Sequence, residues 1–529
     1  MLDILLKDMK IVDGTGSPWF NGDIGIVGEE IVAIKHRIDI EAKKVIDGKG
    51  LVACPGFIDM HTHSDLLVFK YPQEEAKLRQ GITTALLGQD GLSVAPIDDQ
   101  NVSLMQKRLL GLLGRYVDKW TWRTMGEYLA ELDKVSPASN NLMLVPHSNV
   151  RAMVVGWDAR PATDQEIQQM KEIVNQAFHE GACGFSTGLI YPPGMYADKR
   201  EFVELLRVIA DNGGFFVVHL RSESDRIRDA IAEVVGYCRE AGCPLHISHL
   251  KVAGKSNWGR SAEVLSLIDQ ARADGLDVTF DQYPYTAGST MLDMMIPPWY
   301  HEGGTEKMLA KLRDQKIRAQ LHKDHETPST KWENRAITNG WDSILITAVQ
   351  SEKNKYAEGK NIAELAQITG KTPTNVVADL LIEEDGAVTM ANFHSDEKDV
   401  ERIMQHQCIC VCSDGIVGGK PHPRVYGTFP RILGKYVREQ GIMTMEAAIQ
   451  KMTANPARRL NLQDRGILRE GMKADITIFD PETIIDLGTY KEPNQFPVGV
   501  EHVLVNGQLS LNAGKLTGVR AGRVIKSKI

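Results

Sequence analysis

Two histidines one residue apart, His61 and His63, close an apolar run from Leu51 to Met60. Side chains alternate along a strand, so Phe57, Asp59, His61 and His63 project to one face. Two imidazoles beside a carboxylate form a pincer suited to a divalent metal. Further residues of this kind stand at the ends of other apolar segments. His219 ends the run Val217-Val218-His219, and His246 and His249 sit in Leu245-His246-Ile247-Ser248-His249-Leu250-Lys251. The stretch from Cys408 to Asp414 alternates so that Cys408, Cys410, Cys412 and Asp414 share a face, with Ile409 and Val411 on the other. If the strands are parallel and close into a barrel, all their carboxyl ends surround one cavity, and these side chains converge there.

The elements needed to position them are legible. Eight strand-like segments lie between residues 51 and 415: Leu51–His63, Ile82–Asp90, Leu142–Ser148, Cys183–Gly188, Phe215–Arg221, Pro244–Lys251, Asp277–Tyr285 and Cys408–Asp414. Helical patterns over Asp164–Glu180, Arg200–Asn212, Asp225–Ala241 and Ser261–Asp274 each lead through a glycine into a strand, which is the signature of βα units. Eight units predict a (β/α)8 TIM-type barrel over residues 56–465. An insertion at about 286–400, after the seventh strand, is too long for one crossover and is expected to form a subdomain on the active-site face. Residues 1–55 and 466–529 share a texture of short strands and turns. They predict one small β-sandwich domain made from both termini.

Composition narrows the classes. The 529-residue chain is 43% hydrophobic and 25% charged, with net charge −8 and no basic stripe to favour nucleic acid. No apolar run is long enough to cross a bilayer. The first residues carry an acid where a signal peptide carries positive charge, so a cytoplasmic protein is expected. The seven cysteines fit reduced core thiols better than a disulfide framework. Those at 408, 410 and 412 are expected to pack the barrel interior.

These motifs carry a resemblance spanning nearly the whole chain. The His-Thr-His strand, two later single histidines and Ser413-Asp414-Gly415 resemble the amidohydrolase superfamily. More narrowly, the chain is similar to the D-aminoacylases, or N-acyl-D-amino-acid deacylases. The matching stretches are Gly184-Phe185-Ser186-Thr187-Gly188-Leu189-Ile190-Tyr191, Asp281-Gln282-Tyr283-Pro284-Tyr285, Pro421-His422-Pro423-Arg424 and Tyr426-Gly427-Thr428-Phe429. Asp464-Arg465-Gly466 and Gly471-Met472-Lys473-Ala474-Asp475-Ile476 also match. The resemblance implies zinc-dependent hydrolysis of the acyl amide of N-acyl-D-amino acids, and the D-stereochemistry rests on it alone.

By position in that pattern, His61, His63, His219 and His249 are expected metal ligands for one or two divalent ions, zinc or another metal. Asp414 is the expected catalytic base and acid. Asp59 suits support of the ligands from behind, and His246 should face away from them. Tyr191, Arg221, Lys251, Tyr283, Ser289 and Arg424 are expected around the substrate, the cations for its free carboxylate. His147 is left open between pocket wall and core. The chain departs from the family at Gly88-Gln89-Asp90-Gly91, where an aspartate stands in place of a ligand cysteine. Asp90 is an expected ligand: a harder donor than thiolate and able to bridge two ions. Cyclic-amide hydrolases of the superfamily bridge their metals with a carbamylated lysine near the fourth strand, and Gly184–Gly188 has no lysine. Hydrolysis of a cyclic amide or a dipeptide is therefore the second expectation. A non-catalytic scaffold is disfavoured, because all five expected positions (the four histidines and Asp414) are kept.

Overall fold

The computed structural model describes residues 1–527. Its centre is a parallel sheet whose strands are hydrogen-bonded in chain order: Phe57–Asp59, Ile82–Leu87, Asn140–Pro146, Gly184–Gly188, Phe216–His219, Leu245–Ile247, Val278–Gln282 and Ile409–Val411. The first and eighth strands meet at their carboxyl ends. Met60 N–H donates to the Val411 carbonyl at 3.3 Å, and Asp414 N–H to that of His61 at 2.8 Å. A parallel bridge, Thr62 to Gly415, completes the closure. Helices Asp164–His179, Lys199–Asp211, Ile227–Ala241 and Ser261–Ala273 connect successive strands. This is the expected (β/α)8 barrel.

The barrel interior is filled by Ile58, Leu86, Leu142, Leu144, Val217 and their neighbours, including Cys410 and Cys412. Cys408 departs from its expected place. The strand begins only at Ile409, so alternation does not reach Cys408, and its thiol lies 3.1 Å from His406 Nδ1 outside the barrel. The expected first strand is also divided. Val52–Pro55 pairs with the terminal sheet and Phe57–Asp59 with the barrel. Gly56 lies at the break, where a Cβ would stand 2.2 Å from Thr83 Oγ1.

Both termini build one nine-stranded sheet, in which Val52–Pro55 lies between Leu2–Ile11 and Ile476–Phe479. It has its own core of Leu6, Met9, Ile24, Ile26, Ile476 and Leu504, among others. Between the seventh and eighth barrel strands, Ala287–Met291, Ile344–Ala348 and Thr389–Phe393 form a separate antiparallel sheet flanked by helices. This inserted unit supplies one wall of the cavity over the barrel mouth. Among the described residues, no helix is long and apolar enough to cross a membrane.

Candidate active site

The metal-type residues arrive from five barrel strands. His61 and His63 follow the first strand, Asp90 the second, His219 ends the fifth, His249 follows the sixth and Asp414 the eighth. All are buried at one end of the barrel. Asp90, His249 and Asp414 have φ of 57°, 33° and 47°, a conformation that L residues seldom adopt. Three such residues at one centre indicate backbone held under strain where the side chains must converge.

Asp90 divides its two oxygens. Oδ2 lies 3.7 Å from His61 Nε2 and 3.6 Å from His63 Nε2. Oδ1 lies 4.0 Å from His219 Nδ1 and 3.7 Å from His249 Nε2. The two nitrogens within each pair are 3.3 Å apart (His61 and His63) and 2.9 Å apart (His219 and His249). Asp414 Oδ1 joins the first pair at 3.6 and 3.4 Å. Four donors each about 2.1 Å from one ion stand about 3.4 Å apart in a tetrahedron, so these spacings suit zinc-type coordination. Three metal-sized groups result, His61–His63–Asp90, Asp90–His219–His249 and His61–His249–Asp414, and Asp90 belongs to the first two.

The electrostatics of the site suit a bound cation. Three buried carboxylates, Asp90, Asp414 and Glu223, face two buried cations, Lys251 and Arg424. Burial alone would lower the pKa of His249, yet the Glu223 and Asp90 carboxylates carry it up to about 10. Burial dominates at His219 and holds it neutral, with a pKa of about 3, the form in which imidazole binds a metal. Asp90 Oδ1 is buried without a hydrogen-bond partner. The donor set fits one or two divalent ions.

Residues behind the centre fix it. Asp59 Oδ1 accepts from Ser413 N–H at 2.8 Å, tying the first strand to the eighth, and burial raises its pKa to about 6. Asp281, on the seventh strand, accepts from His246 Nε2 at 2.8 Å and from His249 N–H. Thr279 meets the other nitrogen of His246 at 2.7 Å, so His246 is satisfied on the strand and faces away. His147 is core: it bonds Thr187 and Glu201 at 2.9 and 2.8 Å, fully buried.

The expected substrate residues separate into two groups. Tyr191, Lys251, Tyr283 and Ser289 line the cavity over the metal-type residues. Tyr191 bonds Thr290 Oγ1 at 2.9 Å, and Ser289 Oγ is buried with no partner. Lys251 Nζ lies 2.7 Å from His249 Nδ1 and also pairs with Glu223. Arg221 and Arg424 are not brought to that wall. Arg221 pairs with Glu233 at 3.0 Å and faces a neighbouring cavity, because the strand ends at His219 and alternation stops there. Arg424 is fully buried, with Nη1 2.8 Å from Asp414 Oδ2 and its guanidinium over the Tyr283 ring. It holds Asp414 in place and keeps that carboxyl well below its usual range against the cost of burial.

Two residues escape the sequence reading. Glu223 Oε1 lies 3.1 Å from His249 Nδ1, and Oε2 lies 3.7 Å from His219 Nε2, so it steers both imidazoles from behind. An acid four residues beyond a ligand histidine was its only signal. Arg335 enters from the insertion, whose register no strand pattern reveals.

Comparison with known proteins agrees with this architecture. The amidohydrolase family profile (Amidohydro_3) matches residues 44–510. An N-acyl-D-glutamate deacylase of Alcaligenes xylosoxydans xylosoxydans is 36% identical over 507 residues, covering 96% of this chain and 93% of that protein. A D-aminoacylase of the same organism is 35% identical, covering 99% and 97%. The solved N-acyl-D-glutamate deacylase of Bordetella bronchiseptica, complexed with zinc and a phosphonate mimic of the reaction's tetrahedral intermediate, superposes with a TM-score of 0.83. It is 33% identical, with 99% of this chain and 100% of that one covered. The chain belongs to the amidohydrolase family and, within it, to the D-aminoacylases.

Proposed function

We propose that this protein hydrolyses the acyl amide of N-acyl-D-amino acids, releasing a carboxylate and the free D-amino acid. The observation that carries the reading is Asp90 shared between two histidine pairs, with Asp414 beside one of them. His219, His249 and Asp90 would hold one divalent ion, zinc by likeness to the Bordetella enzyme. His61 and His63 with the other oxygen of Asp90 would hold a second. An ion held there lowers the pKa of a nearby water to about 7 and polarises the scissile carbonyl.

Asp414 takes the proton of the attacking water and delivers it to the leaving nitrogen, so the amine departs neutral. Arg424 orients that carboxylate by holding its far oxygen at 2.8 Å. Lys251, Tyr283 and Ser289 anchor the substrate's free carboxylate, setting the acyl carbon over the centre. The walls contributed by the insertion exclude water from the reacting amide. All seven cysteines are buried and unpaired, which supports a reducing, cytoplasmic setting. The reading is tested by release of free amine from matched N-acetyl-D- and N-acetyl-L-amino acids. Cleavage confined to the D series supports it, and cleavage of only L or only cyclic amides rejects it.

A further inference from the structure

Three cations stand at or near the substrate cavity, and the two buried ones each have a carboxylate beside them. Lys251 is paired with Glu223 and Arg424 with Asp414. The third, Arg335, opens the short helix Arg335–Thr338 of the insertion and lines the cavity with its side chain 11% exposed. Its contacts are weak: Nη1 reaches the Met294 carbonyl at 3.3 Å, and Nη2 stands 3.5 Å from Glu333 Oε2. Glu333 is engaged elsewhere. Its Oε1 accepts from Ser222 Oγ at 2.9 Å, from the N–H groups of Glu223 and Ser224 at 2.6 and 3.0 Å, and from Ser224 Oγ at 2.9 Å. The half-buried guanidinium of Arg335 therefore keeps donors available to a further acceptor in the cavity.

The same wall is polar. Thr338, Asn339, Asn392 and His394 of the insertion line the cavity with Arg335, while Leu112, Ala253 and Ile416 are its aliphatic members. With the substrate's α-carboxylate held by Lys251, Tyr283 and Ser289, a free guanidinium on this wall is suited to a second carboxylate.

We infer that Arg335 is a specificity-determining residue that selects substrates with an anionic side chain, so that the preferred substrates are N-acyl derivatives of acidic D-amino acids. This rests on the deacylase reading above. The experiment compares kcat/KM for N-acetyl-D-glutamate, N-acetyl-D-aspartate, N-acetyl-D-glutamine and N-acetyl-D-leucine in the metal-loaded enzyme. A charge-assisted contact predicts that the wild type favours at least one acid over the amide and leucine substrates by about 10- to 100-fold. Arg335→Gln should collapse that ratio, chiefly through KM for the acid, and Arg335→Lys should restore part of it. Residual turnover of the leucine substrate by Arg335→Gln would show that the variant is folded; if it is not, the wild-type ratio alone decides. Equal or better turnover of leucine or glutamine substrates by wild type overturns the role of Arg335 while leaving the deacylase reading intact. An unchanged ratio in Arg335→Gln overturns it as well. Failure to cleave any N-acyl-D-amino acid removes both together.

Discussion

Asp90 is the residue on which the centre turns, since each of its oxygens faces a different histidine pair. Its substitution by cysteine should recreate the donor usual in the family and shift preference towards zinc. The native carboxylate should tolerate cobalt or manganese more readily. Activity of metal-stripped protein reconstituted with each ion measures this, and identical preferences in wild type and Asp90→Cys would remove Asp90 from the ligand set. His219→Ala or His249→Ala should abolish both bound metal and turnover, read by elemental analysis beside the deacylase assay. Asp414→Asn should retain much of the metal yet lose about 10²- to 10⁴-fold in kcat, if Asp414 is the proton carrier we propose. The residues so tested were legible because each lies on or just beyond a strand end, where type and position are readable together. Arg221 was placed by the same logic and Arg424 by its loop after Asp414, and geometry sent both elsewhere. Alternation holds only while the chain is extended, and Arg424, fully buried against Asp414, does not reach the cavity that Lys251 lines.

Among the elements, the barrel strands were legible from apolar runs and glycine-capped helices, whereas their ends were not. The first strand reads as continuous from Leu51, yet it is divided between two sheets at Gly56, where Thr83 packs too close for a side chain. The inserted unit was legible only as an interval too long for one crossover, because the pairing of its sheet is antiparallel and non-local. Helix Arg424–Arg431 presses on the barrel through Phe429, which stacks on Phe57 with ring centroids 5.4 Å apart. Both rings are fully buried. Phe429→Ala should therefore cost about 3–5 kcal/mol through the cavity it leaves. A lowered thermal unfolding temperature reports that loss. Little change would mean that the helix collapses onto the vacated space.

At the scale of the molecule, the terminal sheet and the barrel are joined through a buried polar knot. Asp475 accepts from Asn506 N–H at 2.6 Å and from Asn140 Nδ2 at 3.2 Å, and pairs with the Arg465 guanidinium at 2.5 Å. Asn506 in turn donates to Asn140 Oδ1 at 2.8 Å, on the third barrel strand. Asp475→Ala leaves Arg465 buried beside no carboxylate of its own depth and should destabilise the protein by about 3–5 kcal/mol. Turnover at moderate temperature should change little, because the knot lies away from the catalytic residues. Heating curves and kcat measured on the same preparation check both statements. The account as a whole depends on a centre organised by Asp90, and the most direct measurement is zinc retained per chain after exhaustive dialysis, for wild type and Asp90→Ala. Wild type should hold at least one ion, and the variant should hold clearly less because both histidine pairs lose their shared oxygen donor. Equal zinc in the two proteins would contradict a centre built around Asp90.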